Sequence, residues 1–178
     1  MKDGKRDGLR EYYHDNGQLR SRENWKEGKR DGLCETFWNN GQLQTKGNFK
    51  NGELDGLVEG YHDNGVLMSK ENFKVGLPDG PWERYQRNGY RKIKNRINWK
   101  DGKPDGLWVS YYDNGVLMSK KNYKDGKKDG LCVVFWGDGR LEYQENYKDG
   151  KKDGLCEYVD YHTHFSEFQE WKDGKLIK

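Results

Sequence analysis

From Leu9 to Tyr13 and again from Leu19 to Trp25 the residues alternate rather than follow a helical period, with Leu9, Glu11 and Tyr13 on one face of the first run and Leu19, Ser21, Glu23 and Trp25 on one face of the second. A period of two is that of a strand with one covered face, and no segment of the chain shows the 3.6-residue period of an amphipathic helix. Glycines punctuate the alternation. An Asp-Gly glycine falls at Gly8, Gly32, Gly56, Gly80, Gly106, Gly130 and Gly154, in steps of 24 residues with one step of 26. A second series, Gly17, Gly41, Gly65, Gly89, Gly115 and Gly139, follows Asn in five cases and Asp138 in the sixth, and a third runs from Gly4 to Gly174. Asn-Gly between alternating runs is the strongest local signal for a hairpin, so each 24-residue unit is predicted to be two short antiparallel strands.

Because 24 is even, side-chain parity is kept from unit to unit. Leu9, Leu33, Leu57, Leu107, Leu131 and Leu155 form one column; Tyr13, Phe37, Tyr61, Tyr85, Tyr111 and Phe135 form another. Counting alternation along the second strand adds Leu19, Ser21, Glu23 and Trp25 to the same face, which predicts that the leucines and the Trp25 column together make the core. The fold class expected is all-β: an elongated single-layer antiparallel meander of about seven 24-residue hairpin repeats. Its roughly 14 strands at ~4.8 Å spacing would extend about 60 to 70 Å. The units run near 7–30, 31–54, 55–78, 79–104, 105–128 and 129–152. A terminal cap at 153–178 replaces the Asn-Gly turn with "YHTH", so the expected domain organisation is one continuous array over 1–178.

Composition agrees with a thin sheet. Of 178 residues, 35% are charged and only 31% hydrophobic, too few for a thick core, while 14% are aromatic, too many for a disordered chain. A net charge of +3 does not by itself argue for nucleic acid. No apolar run reaches membrane-spanning length and "MKDGKRDG" has no apolar leader core, so a cytoplasmic location is expected, although the chain opens inside a repeat unit.

Units of the form Gly-Leu-x-x-x-Tyr-x-x-Asn-Gly-x-Leu followed by Tyr-Lys-x-Gly-Lys resemble MORN repeats, in particular the bacterial variant class seen in antitoxin-type proteins. The resemblance covers essentially the whole chain. It implies a hairpin-repeat sheet used as a scaffold for protein contacts, with a lipid role proposed for some eukaryotic members, and it constrains fold more than activity.

Candidate chemistry is sparse. Cys34, Cys132 and Cys156 share one column, and one repeat, two strands or about 9.5 Å, exceeds what a disulfide spans, so free thiols are expected. His162 and His164, near Asp160, form the one His-x-His, but no third ligand is indicated and a polar cap strand explains them. Glu11, Glu35, Glu59, Glu83 and Glu157 form a repeat column rather than a catalytic pair. Asp-Gly and Asp-Asn-Gly read as turn chemistry, not calcium sites. Nothing pairs a nucleophile with a base or cradles a phosphate, so no enzyme activity, metal or cofactor is expected.

One unit departs from the pattern. Between Arg84 and Lys100 stand Arg84, Arg87, Arg91, Lys92, Lys94, Arg96 and Lys100 with no acidic residue, interleaved with Tyr85, Tyr90 and Trp99. The 26-residue step falls here; Arg91 replaces a column leucine, and Pro81 replaces the leucine after Asp-Gly. Two readings stand: a solvated edge that discourages aggregation, or a contact surface for an acidic protein patch or a nucleic-acid backbone. A second candidate surface is the column His14, Trp38, His62, Gln86, Tyr112 and Trp136, flanking the turns on the side away from the leucines, where exposed aromatics would favour binding. The function expected is a non-catalytic protein-binding scaffold that inhibits a macromolecular partner stoichiometrically, a toxin or a nucleic-acid-processing or defence nuclease. The alternative is a peripheral membrane or cell-envelope module, and dimerisation is left open.

Overall fold

The computed structural model describes residues 4–87 and 93–178, and within these every regular element is a β-strand. The chain forms two compact units, residues 1–91 and 92–178. The first holds β1 (Gly8–Tyr13), β2 (Leu19–Lys26), β3 (Lys29–Phe37), β4 (Leu43–Lys50), β5 (Glu53–Tyr61), β6 (Leu67–Lys74), β7 (Leu77–Pro78) and β8 (Gly80–Tyr85). The second holds β9 (Ile93–Lys100), β10 (Lys103–Pro104), β11 (Gly106–Tyr111), β12 (Leu117–Lys124), β13 (Lys127–Phe135), β14 (Leu141–Lys148), β15 (Lys151–Lys152), β16 (Gly154–Val159), β17 (Ser166–Lys172) and β18 (Lys175–Leu176). In each unit successive strands pair antiparallel with their sequence neighbours, as the hairpin repeat predicts. There are 18 segments rather than about 14 because the Asp-Gly step divides three first strands in two, β7 from β8, β10 from β11 and β15 from β16, and the cap adds β18.

The three glycine series do three different jobs. At the Asn-Gly end, the His14 amide donates to the Gln18 carbonyl at 2.8 Å and the Gly17 amide donates to the His14 carbonyl at 2.9 Å, with Gly17 at φ 82°. Asn16 Oδ1 accepts the Gln18 amide, and its Nδ2 donates to the Asn39 carbonyl one repeat on, at 2.8 Å. At the other end Glu27 and Gly28 both have positive φ, 48° and 85°, the two-residue turn whose twist matches its strands. The Asp-Gly series is not a turn at all but a bulge inside the first strand: Glu23 faces Cys34 and Trp25 faces Arg30, so Asp31, Gly32 and Leu33 together stand opposite Asn24. Asn24 Nδ2 satisfies the Leu33 carbonyl at 2.7 Å, a bond repeated at Asn122 to Leu131 and Asn146 to Leu155. The bulge aspartate is also used, Asp31 accepting the Asn51 turn amide at 3.2 Å and Asp129 the Asp149 amide at 3.1 Å.

The register corrects the predicted core. Gly8 faces Trp25, Arg10 faces Glu23 and Tyr12 faces Ser21, so the Trp25 column shares a face with the residues between the leucines, not with the leucines. A register shift between Tyr12 and Tyr13, which brings Tyr13 opposite Leu19, breaks the parity count carried from one strand to the next. Burial follows the corrected register. Cys132 and Cys156 are 1% and 0% exposed, with Ser21, Glu23, Ser69, Ser110, Ser119, Ile97, Val134 and Glu145 also buried, whereas the six column leucines are 40 to 57% exposed. Each sheet unit therefore has a packed face, carrying the cysteines and the Trp25 column, and an open face carrying the leucines. Replacing a leucine by Pro81 breaks no core column, since that column is not core; its carbonyl still accepts the Asn72 side chain at 2.6 Å.

Candidate interaction surfaces

The packed face is held by polar as well as apolar contacts. In the second unit Glu145 accepts the Tyr147 hydroxyl at 2.6 Å and the Tyr158 hydroxyl at 2.9 Å, and pairs with Lys152 Nζ at 2.7 Å. Lys152 lies over the Trp171 ring at 4.8 Å, and Lys128 over the Tyr147 ring at 4.4 Å, each a cation set against the aromatic side chain of the following repeat. Burial pushes the Glu145 carboxyl up, but Lys152 and the two tyrosines outweigh it and hold it below the usual carboxylate range. Burial likewise pushes Lys152 down, and its bonds to Glu145 and Tyr158 more than offset that, leaving it above the ordinary lysine value. The first unit repeats the motif at lower density: Glu23 accepts Trp25 Nε1 at 3.0 Å and pairs with Arg30 at 2.6 Å, and Arg30 reaches the Phe49 ring at 5.4 Å. These contacts tie repeat to repeat. Burial pushes the Cys34 and Cys132 thiols up, away from the reactive thiolate, and all three cysteines are free.

The turn-flanking column is not the exposed aromatic row predicted. Trp38, Tyr112 and Trp136 are half-buried and Gln86 is buried. Three of the column make rungs to the following repeat: His14 Nε2 bonds the Phe37 carbonyl at 2.9 Å, Trp38 Nε1 donates to the Tyr61 carbonyl at 3.1 Å, and the Tyr112 hydroxyl donates to the Phe135 carbonyl at 2.9 Å. Trp136 packs edge-on against Tyr161 with centroids 5.2 Å apart.

Of the basic run, Tyr90, Arg91 and Lys92 lie outside the described residues, as does the two-residue lengthening. In the first unit Arg84 and Arg87 are exposed, Arg87 pairing with Asp63 at 2.9 Å. In the second unit Lys94, Arg96 and Lys100 are exposed on β9, with Lys94 3.4 Å from Asp113.

His162 and His164 serve the cap. Asp160 Oδ1 accepts the His162 amide at 3.0 Å and the Thr163 amide and hydroxyl at 2.7 and 2.8 Å, closing the turn, while the rings diverge, His162 against Tyr161 and His164 against Arg140. Among the described residues no group of three His, Cys, Asp or Glu side chains is placed to hold a metal ion.

What remains is the open face, which sequence counting had assigned to the core. Its leucines are flanked by a middle row in which the two units differ. In the first unit Arg22 stands between Glu11, at 2.9 Å, and Glu35, at 3.6 Å, and Glu59 stands between Lys46, at 2.8 Å, and Lys70, at 3.6 Å. The Lys46 ammonium holds the Glu59 carboxyl below its ordinary range, and Glu59 raises Lys46 in return. In the second unit the glutamate positions are taken by Val109 and Val133, with Lys120 opposite both in register. The signal was available in the sequence, since Val109 and Val133 are the two departures in the column Glu11, Glu35, Glu59, Glu83 and Glu157.

The MORN repeat variant model matches the chain five times, at residues 6–27, 30–51, 54–74, 104–125 and 128–149. The irregular basic unit and the cap fall outside these matches. No curated protein matches the chain.

Proposed function

This chain belongs to the MORN repeat variant family, whose repeats are protein- or membrane-binding modules, and on that premise we propose that it is a non-catalytic protein that grips a macromolecular protein partner on its open sheet face. The observation that carries this reading is the exposure of the leucine column, 40 to 57% in all six copies. A file of exposed leucines beside half-buried aromatics is an apolar surface of the kind interfaces cover. The buried, hydrogen-bonded polar groups sit on the other face and tie the repeats together, so binding rather than chemistry is what this architecture offers.

The partner class proposed is a toxin or a nucleic-acid-processing enzyme, including a defence nuclease, inhibited one-to-one in the cytoplasm by covering its working surface. The resemblance of the repeat units to antitoxin-type proteins supports it, as does the cationic run from Arg84 to Lys100, which suits an acidic rim or a groove that holds nucleic acid. The test is a pull-down from the native host with mass spectrometry, run beside the Arg91→Glu, Lys92→Glu, Lys94→Glu variant. One stoichiometric protein captured by the wild type is the expected result, with loss in the variant expected if the basic run contributes. Absence of any stoichiometric protein, together with co-sedimentation with anionic vesicles, would overturn the reading in favour of a peripheral membrane module. The exposed Phe165 and Phe168 of the cap are the features that would serve such a module.

A further inference from the structure

The first unit shows what the open-face cations take as their complement. A carboxylate on the first strand of a hairpin bridges cations on the flanking second strands, as Glu59 does between Lys46 and Lys70. In the second unit the register is the same but valine stands in the glutamate positions, and Lys120 is opposite both Val109 and Val133. No ion pair joins Lys120 to a carboxylate among the described residues. The strand segments β9 to β12 carry six lysines, Lys94, Lys100, Lys103, Lys120, Lys121 and Lys124, and one arginine, Arg96, seven cations in all, and no acidic residue, Lys121 standing opposite Cys132 on the packed-face register. The carboxylates nearby are confined to turns and bulges, Asp101, Asp105, Asp113 and Asp125. Flanking the valines, Leu107 and Leu131 are 41 and 40% exposed.

Resting on the protein-binding function above, we propose that the open face of β11 to β13 docks an acidic amphipathic helix of the partner, whose carboxylates take the positions over Val109 and Val133 that glutamates occupy in the first unit. Lys120 receives the charge, and the valines with Leu107 and Leu131 receive the apolar edge. The spacing suits a helix. Equivalent positions in successive repeats are two strands, or about 9.6 Å, apart, and residues seven apart on a helix are about 10.5 Å apart. A helix laid across the strands thus meets each repeat once per heptad with the same pair of side chains.

The probe is a synthetic 21-residue helical peptide with Glu every seventh residue along one edge and Leu beside it, titrated into isotopically labelled full-length protein. Amide shifts concentrated in β11 to β13 are expected, with affinity at least tenfold weaker when the Glu positions are Lys. The Val109→Glu, Val133→Glu protein, which installs the first unit's own pattern and is checked by its amide spectrum to remain folded, is expected to lose at least tenfold in affinity. Equal binding by both proteins, shifts centred on the first unit, equal binding of the Lys peptide, or tighter binding of anionic vesicles or single-stranded RNA to the same face would overturn the proposal. If the partner from the pull-down binds wild type and the valine variant alike, this site is wrong while the binding function stands; absence of any protein partner removes the function itself.

Discussion

The two units are built on the same 24-residue plan yet place their charge differently. In the first, the open face is internally neutralised, with Glu11, Arg22, Glu35, Lys46, Glu59 and Lys70 forming an alternating row, while its packed face is sparsely bonded through Glu23 and Arg30. In the second, the carboxylate has a full set of partners on the packed face, around Glu145, and the open-face row has lost its glutamates at Val109 and Val133. One unit spends ion pairs on the surface, where each is worth little. The other places its least exposed pair, Lys152 with Glu145, on the packed face and leaves Lys120 with no carboxylate opposite it in register. A repeat protein can vary function this way because each column is an independent choice that leaves the backbone ladder untouched.

The largest difference is expected on the packed faces. Glu145→Ala leaves Lys152, Tyr147 and Tyr158 without their shared acceptor and should cost about 3 kcal/mol, whereas Glu23→Ala, with two partners and an Arg30 side chain 43% exposed, should cost about 1 to 2 kcal/mol. Denaturant unfolding of the two variants checks the order. Equal losses would erase the contrast.

A pH series sharpens it. Glu145 ionises more readily folded than unfolded, because Lys152, Tyr147 and Tyr158 outweigh the burial that opposes them. Its contribution is therefore fully present above the ordinary carboxylate value of 4.5 and is lost as pH falls through the lower, folded value. Stability is expected to drop below about pH 4.5 in the wild type and to drop less steeply in Glu145→Ala, with Glu59→Gln giving the same flattening to a smaller degree because that carboxylate is nearer the surface. Parallel acid profiles for wild type and Glu145→Ala would mean that the network is not linked to folding.

The smallest stability effects belong to the open faces. Val109→Glu with Val133→Glu, and the reciprocal Glu35→Val with Glu59→Val, should each change unfolding free energy by about 1 kcal/mol or less. The first pair should add a salt-sensitive component to the second unit, and the second pair should remove one from the first. Thermal melts at low and high salt measure both.

Much of this was legible from spacing. The 24-residue glycine register, the hairpins and the free, opposite-facing cysteines all follow from parity and turn chemistry. The choice of packed face did not follow, because a single bulge at Tyr12 and Tyr13 reverses parity between strands, and no composition rule marks leucine as the exposed column and Ser21 or Glu23 as the buried one. The Asp-Gly glycines misled for a related reason: this bulge and the hairpin turns here both use a glycine at positive φ, and Gly32 at 102° serves the former. Trp38 and Tyr112 looked like binding aromatics because the carbonyls they reach lie 23 residues away, a partner no local pattern predicts. The substitution of glutamate by Val109 and Val133 was visible all along, and its meaning needed the register.

The claim beneath all of this is that the leucine face is open and the cysteine face is packed. Adjacent residues test it: Leu131 is 40% exposed and Cys132 is 1% exposed. In a Leu131→Cys variant, labelling by a small disulfide reagent under native conditions is expected to modify one thiol at a rate close to that of a free cysteine, while Cys34, Cys132 and Cys156 react only on unfolding. Rapid native labelling of Cys132, or a protected thiol at position 131, would contradict the account.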